Sequence, residues 1–143
     1  MSKTKKNGWI EEENQWRFYE NNKPVTKWKQ IQGKWYYFDK DGNRLSNTTF
    51  DGYAFDNDGV MASGGWIKVT DKWYYSNSSG KISQEKWEKI GNSWYYFDKN
   101  GIMLSNTIFN GYLFSNSGAM PTNSWVKINE QWYYAQASGK PTQ

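Results

Sequence analysis

The stretch Trp87-Glu88-Lys89-Ile90-Gly91-Asn92-Ser93-Trp94-Tyr95-Tyr96-Phe97 decides the fold. A Gly-Asn pair separates two short runs of aromatic and β-branched residues, the pattern of a β-hairpin closed by a two-residue turn. Pairing across that turn sets Ile90 opposite Ser93, Lys89 opposite Trp94 and Trp87 opposite Tyr96. Side chains alternate between the two faces of a strand. Trp87, Trp94 and Tyr96 therefore share one face, while Ile90, Tyr95 and Phe97 share the other. No stretch carries helical periodicity, so the chain is expected to be almost pure β structure and loops.

Outward from this hairpin the same pattern recurs. Tryptophans pair at an offset of seven: Trp9/Trp16, Trp28/Trp35, Trp66/Trp73, Trp87/Trp94 and Trp125/Trp132. Two further units, Phe50-Asp51-Gly52-Tyr53-Ala54-Phe55 and Phe109-Asn110-Gly111-Tyr112-Leu113-Phe114, lack Trp but keep the rest. The units run approximately over 9–27, 28–47, 48–65, 66–86, 87–106, 107–124 and 125–143. A longer period lies on top: residues 28–84 align without gaps on 87–143, with 29 of 57 positions identical at an offset of 59. Three short units, A, B and C, thus make one long one, with A starting at Trp9, Trp66 and Trp125, B at Trp28 and Trp87, and C near Thr48 and Thr107. Self-similarity at a short fixed period marks a solenoid or propeller, whose units cannot bury their faces alone. The three-unit superperiod suggests one turn of a solenoid per three units.

Composition narrows the chemistry. The chain has 143 residues, no Cys and no His. That excludes a disulfide framework, a thiol nucleophile, and the commonest general base and metal ligand. Leu, Ile, Val and Phe total only 22 residues, about 15%. The 28 aromatics take over the work of aliphatics. A formal charge of +4 and a pI near 9.1 favour polyanionic partners, nucleic acid or an anionic wall polymer. No segment is apolar enough to span a membrane. The basic start, residues 1–7, reads as a disordered or tag-like segment and not as a secretory leader; a chain without a leader can still be a mature form or an excised module.

The Trp-less units test the division of faces. Tyr53 and Phe55 take the places of Tyr36 and Phe38, so the core face survives. Ala54 stands where Tyr37 would, and Gly52 where Trp35 would; Leu113 and Gly111 repeat this. On this reading one face is needed for folding and the other, dispensable in every third unit, binds a ligand. The alternative is that the indoles are filler buried when neighbouring units stack. Two indoles and a phenol forming an open box, with no mandatory acid beside them, suit a poorly hydrated cation such as a quaternary ammonium. Each such contact is worth about 0.5–2 kcal/mol, and weak sites repeated along a chain gain avidity on a polymer. Aromatic platforms also stack on sugar rings or on single-stranded bases; dispersed lysines make nucleic acid the poorer fit.

The units Gly65-Trp66-Ile67-Lys68-Val69-Thr70-Asp71-Lys72-Trp73-Tyr74-Tyr75 and Trp94-Tyr95-Tyr96-Phe97-Asp98-Lys99-Asn100-Gly101-Ile102-Met103 resemble choline-binding repeats, the cell-wall anchoring repeats of Gram-positive surface proteins and phage lysins. The resemblance covers roughly residues 8–143. It implies a left-handed β-solenoid of about seven stacked hairpins, roughly three per turn, forming a single module over 8–143. It further implies phosphocholine of teichoic acid as ligand, held between successive hairpins by two Trp, an aromatic of the next hairpin and a Met or Leu wall. Carried over by position, one site would use Trp66, Trp73, Tyr96 and Met103. A second would use Trp9, Trp16 and Tyr37, with Leu45 as wall because Arg44 stands where Met would. The B/C junctions depart from the pattern: Trp28 and Trp35 meet Ala54, and Trp87 and Trp94 meet Leu113. They keep Met61 and Met120, so altered sites are expected there. Trp125 and Trp132 would be empty or engaged in a homodimer through the C-terminal hairpin.

Glu12 and Arg17 replace core-face residues of the first unit, which reads as a polar cap, and Glu11-Glu12-Glu13 as a solvated run. Asp39-Lys40-Asp41-Gly42 and Asp56-Asn57-Asp58-Gly59 lack the third acid and bidentate Glu of a calcium loop, and read as turns. No catalytic residue, metal or cofactor is expected. Three functions are weighed: a non-catalytic choline-binding module tethering a protein to the wall surface outside the cell, a carbohydrate-binding module for glucan or peptidoglycan, and the anchoring part of a wall hydrolase whose catalytic domain lies elsewhere.

Overall fold

Two-residue turns set the architecture. Gln32 and Gly33 have φ of 51° and 82°, Asp51 and Gly52 of 52° and 85°, and Asn110 and Gly111 of 51° and 83°. Positive φ at both central residues is the type I′ geometry whose twist matches paired strands, and Asn, Asp and Gly tolerate it best. The computed structural model describes residues 5–142; residues 1–4 of the expected tag-like segment lie outside them. Every element among the described residues is a strand. The chain divides into two compact units, the first running to Asp71 and including Ser76–Lys81, the second comprising Lys72–Tyr75 and the chain from Ile82 onward.

In the first unit, β1 (Gly8–Glu12), β2 (Gln15–Glu20) and β3 (Lys23–Pro24) form an antiparallel sheet. Two hairpins follow, β4 (Lys27–Ile31) with β5 (Lys34–Phe38), and β6 (Thr48–Phe50) with β7 (Tyr53–Phe55); β8 (Gly65–Val69) is the last strand of the unit. The second unit holds β9 (Lys72–Ser76, its last residue counted with the first unit). Then come β10 (Lys86–Ile90) with β11 (Ser93–Phe97), β12 (Thr107–Phe109) with β13 (Tyr112–Phe114), and β14 (Ser124–Ile128) with β15 (Gln131–Ala135). The register read from sequence holds: Ile90 faces Ser93, Lys89 faces Trp94 and Trp87 faces Tyr96.

Between hairpins the chain makes a tight loop built on one Asx side chain. Asp39 Oδ1 accepts the N–H groups of Asp41 and Asn43, both at 2.9 Å. Asp56 does the same for Asp58 and Val60, and Asp98 for Asn100 and Ile102. These carboxylates hold their own turns, as the turn reading of Asp39–Gly42 and Asp56–Gly59 expects.

Each unit has its own aromatic core. Phe38 and Phe55 are fully buried in the first, Phe97 and Phe114 in the second. Burying one such ring contributes about 1.5–3 kcal/mol, which compensates for the scarcity of aliphatics. One sequence inference is corrected here. Ala54 and Leu113, placed on the dispensable face, are entirely buried, and Leu113 packs with Val126, Ile128 and Ala135. In the Trp-less hairpins that face has become core.

The first hairpin carries a polar cap. Glu12 accepts from Lys6 at 2.7 Å, from the Tyr19 hydroxyl at 2.6 Å and from Arg17 at 3.2 Å. The Asn22 N–H also donates to the Lys6 carbonyl, and the Asn21 N–H to Asn7 Oδ1. Lys6 and Asn7, expected in the tag-like segment, are thus tied to the fold. The hydrogen bonds from Lys6 and then Tyr19 hold the Glu12 carboxyl at about 2, below the usual carboxylate range. A depressed carboxylate stabilises the fold above its ordinary value and ceases to as pH falls through the folded one. The N-terminal hairpin should therefore loosen between about pH 4.3 and pH 2, seen as faster amide exchange at Trp9 and Trp16. Glu12→Gln should weaken the hairpin at neutral pH and remove that dependence.

Thr70 opens the turn after β8 with φ 45°, a conformation unfavourable for a β-branched residue. Asn110 and Asn129 have φ of 51° and 48° at the matching place. Thr70→Asn should stabilise the protein by about 1 kcal/mol, measured by thermal or urea denaturation.

Candidate functional site

The tryptophans of one hairpin meet the tyrosine of the next. In the first unit, Trp28 lies 6.2 Å from Trp35 at 79° and 5.0 Å from Tyr53 at 75°. In the second, Trp87 lies 6.4 Å from Trp94 at 83° and 5.1 Å from Tyr112 at 79°. Three near-perpendicular rings make an open corner, and a methionine completes it. Trp28, Trp35, Tyr53, Met61 and Ser79 line a cavity of about 350 Å³. Trp87, Trp94, Tyr112 and Met120 line one of about 300 Å³. Both lie at the small end of the range for small-molecule sites.

The wall residue is placed by backbone. The Met61 N–H donates to the Trp35 carbonyl and the Met120 N–H to the Trp94 carbonyl, both at 2.9 Å. Each methionine then packs on the loop glycine of the following sequence repeat. A Cβ on Gly80 would stand 2.6 Å from Met61 Cε, and one on Gly139 2.2 Å from Met120 Sδ. The bare glycine therefore makes room for the wall.

Within each cage the two indoles differ. Trp28 also tilts onto buried Phe55 at 5.7 Å, and Trp87 onto Phe114 at 5.5 Å. Trp35 and Trp94 are 40% and 41% exposed. The first indole is thus half core and the second is presented to solvent. The lining residues of both cavities include no carboxylate or ammonium. Such a site offers π faces, a polarizable sulfur and almost no hydrogen bonding, which favours a soft cation that needs none.

Beside Trp9 stands Tyr36, where the sequence reading placed Tyr37. Trp9 meets Tyr36 at 5.0 Å, and Tyr37 packs on Trp28 and Phe50 at 5.3 and 4.5 Å. Tyr96 likewise packs on Trp87 and Phe109. Alternation sends the two tyrosines of a triplet to opposite faces, and the preceding Trp pair meets the face carrying the first. For the same reason the B/C junctions, expected to be altered, are complete: Tyr53 and Tyr112 supply their third ring. The Leu45 N–H donates to the Tyr37 carbonyl, whereas the Arg44 N–H donates to the Trp16 carbonyl at 2.9 Å, the bond that Met61 and Met120 make elsewhere. Trp66 lies on β8 of the first unit, while Trp73, Tyr96 and Met103 belong to the second. There the Met103 N–H donates to the Trp73 carbonyl at 2.9 Å, repeating the wall register. Trp125 and Trp132 are 65% and 64% exposed.

Lys81 and Lys140 were not singled out in the sequence. Their ammonium groups stand 4.6 Å from the Tyr53 ring and 4.9 Å from the Tyr112 ring. Their identity at an offset of 59 residues, shared by Tyr53 and Tyr112, was the available signal.

Gly139→Ala tests the wall. Residue 139 holds φ 87° and its new methyl would collide with Met120, so a loss of about 1–3 kcal/mol is expected. The Met120 methyl resonance should move while that of Met61 stays; an unmoved Met120 would show that its seat is elsewhere.

A choline-binding repeat model matches residues 84–125, and a cell wall binding repeat model matches residues 26–43, 64–82 and 123–140. No curated protein matches the chain in sequence. Among solved structures, choline-binding protein F from Streptococcus pneumoniae, in the presence of a peptidoglycan analogue, is 31% identical with a TM-score of 0.68, covering 96% of this chain and 52% of that one. CbpJ from Streptococcus pneumoniae is 27% identical with a TM-score of 0.71, over 96% and 48%. The multimodular pneumococcal cell wall endolysin from phage Cp-1, complexed with choline, is 28% identical with a TM-score of 0.59, over 96% and 37%. The chain thus spans about a third to a half of the length of these relatives.

Proposed function

The chain belongs to the choline-binding repeat family of cell-wall-binding modules, and from that premise we propose that it is a non-catalytic module holding choline headgroups of wall teichoic acid in the cages at Trp28/Trp35 and Trp87/Trp94. The observation that carries this reading is the cage itself: three crossed rings and a methionine, with no carboxylate among the lining residues. A trimethylammonium group has no N–H to satisfy, so a wall of rings and sulfur costs it little beyond a loosely held hydration shell. A primary ammonium would leave its N–H groups unpaired there.

The rest of the proposal follows from charge and chemistry. A net charge of +4 suits a polymer that carries phosphate beside each choline. The loop carboxylates of Asp39, Asp56 and Asp98 are engaged by backbone N–H groups, which supports a binding role over a catalytic one. Attachment to the outer wall and the tethering of a larger protein belong to the same reading. The exposed pair Trp125/Trp132 offers the surface on which a second copy or a further hairpin would close another cage.

The experiment is a choline titration followed by intrinsic Trp fluorescence, with a neutral glucan oligosaccharide as control. A saturable response to choline alone is expected. Trp35→Ala and Trp94→Ala, which spare the core-packed indoles, should each remove one site, and Tyr53→Ala should weaken its cage about tenfold, as loss of one good cation–π contact predicts. A response to glucan that choline does not compete with would replace this reading with a sugar-binding one.

A further inference from the structure

The first aromatic corner has the geometry of the other two but not their emptiness. Trp9 lies 6.2 Å from Trp16 at 84° and 5.0 Å from Tyr36 at 71°, within a few tenths of an ångström of the Trp28 and Trp87 cages. At its wall position stands Arg44, with the same backbone bond that Met61 and Met120 make. Its guanidinium carbon lies 5.7 Å from the Trp9 ring and 5.8 Å from the Trp16 ring. Both are within cation–π range.

Further observations show that this side chain lies within the fold. Arg44 Nε is buried with no hydrogen-bond partner. A Cβ on Gly59 would stand 2.5 Å from Arg44 Cδ and Nε, so the stem runs across the glycine as Met61 runs across Gly80. Burial pushes the guanidinium below its ordinary value while Asp58 pulls it back; a guanidinium stays charged regardless. A charged, planar, weakly hydrated group is thereby held where the other cages are open.

We infer that Arg44 is an internal ligand: its guanidinium occupies the Trp9/Trp16/Tyr36 cage in place of an external cation, closes that cage to choline, and leaves a latent site that a methionine at position 44 would open. The occupancy stands on the geometry of this cage alone; the competence of the emptied cage for choline rests on the reading given above for its two open counterparts. Arg44 thus determines how many sites the chain offers, and it anchors the first hairpin through the contact a ligand would otherwise make.

The test uses the full chain and two readouts. Arg17 and Arg44 are its two arginines, so an Arg44→Met variant identifies the Arg44 signals in a proton–nitrogen or proton–carbon spectrum. Ring currents should place the Arg44 δ-methylene protons well upfield of those of Arg17, and saturating choline should leave them there. Choline titration of Arg44→Met should show one more equivalent bound per chain than the wild type, and adding Trp16→Ala should remove that equivalent. Arg44 protons at ordinary positions, or moved there by choline, would overturn the occupancy. An upfield Arg44 with no added equivalent in Arg44→Met would overturn the latent site. If neither protein bound choline, the reading of the open cages would fail along with the latent site, while the chemical shift would still decide whether Arg44 fills its own cage.

Discussion

A single backbone hydrogen bond fixes each cage. The residue at the wall position, whether Arg44, Met61, Met103 or Met120, donates its N–H to the carbonyl of the second tryptophan of the preceding hairpin at 2.9 Å. The next N–H, from Leu45, Ala62 or Leu104, goes to a carbonyl of the wall residue's own hairpin, at Tyr37, Ala54 or Tyr96. These bonds satisfy polar groups that burial would otherwise leave unpaired. They also direct the wall side chain across the Trp pair and over the loop glycine of the next sequence repeat. The cage is therefore a by-product of how hairpins are joined, and its rings and wall are in place before any ligand arrives. Rigid rings limit the ordering cost of binding.

The same joint explains why tryptophan works here better than an aliphatic residue. Trp28 lies tilted on Phe55 while Tyr53 and Trp35 cross it nearly at right angles. Only a large ring spans core and site at once. In the Trp-less hairpins no indole is present, and the fold fills the space differently. Ala54 and Leu113 become core, and a lysine from the following loop lies over the tyrosine. A Cβ on Gly111, which stands where Trp would, would meet the Lys140 stem at 3.9 Å. The lysine stem covers surface that an indole covers elsewhere, and its ammonium keeps a π contact.

The turns, strand register, Trp pairing and polar cap were all legible in the sequence, because each depends on residues close along the chain. Thr70 and Glu130 show how firmly the repeat imposes its turn: both adopt positive φ against their own preference. The choice between Tyr36 and Tyr37 was not legible. Alternation assigns side chains to the two faces of one hairpin, but the cage lies between hairpins, and the face that the next hairpin turns toward the Trp pair is a long-range quantity. One clue did exist. Tyr53 and Tyr112 persist in units that lose every Trp, so they serve something beyond their own hairpin. Arg44 was noticed as a departure from the wall pattern; that its charge could be held by the very rings meant for a ligand follows only once its stem is seen crossing Gly59.

The chain thus meets its aromatic faces with three kinds of cover, chosen by one or two residues per loop. Methionine lines the cage and leaves it open, arginine fills it, and lysine lies over the tyrosine of a hairpin that has no indoles. All three rest on the same preference of a π face for polarizable or cationic groups. The number of open cages can therefore change by single substitutions while the core phenylalanines and turn residues stay as they are. Each contact within a cage is worth only about 0.5–2 kcal/mol, so on the proposed reading one cage would hold a headgroup weakly. A polymer that repeats the headgroup rewards a second cage with effective concentration and no new contact. On the proposed reading the count of open cages matters more than the strength of any one, and the wall position is where that count is set.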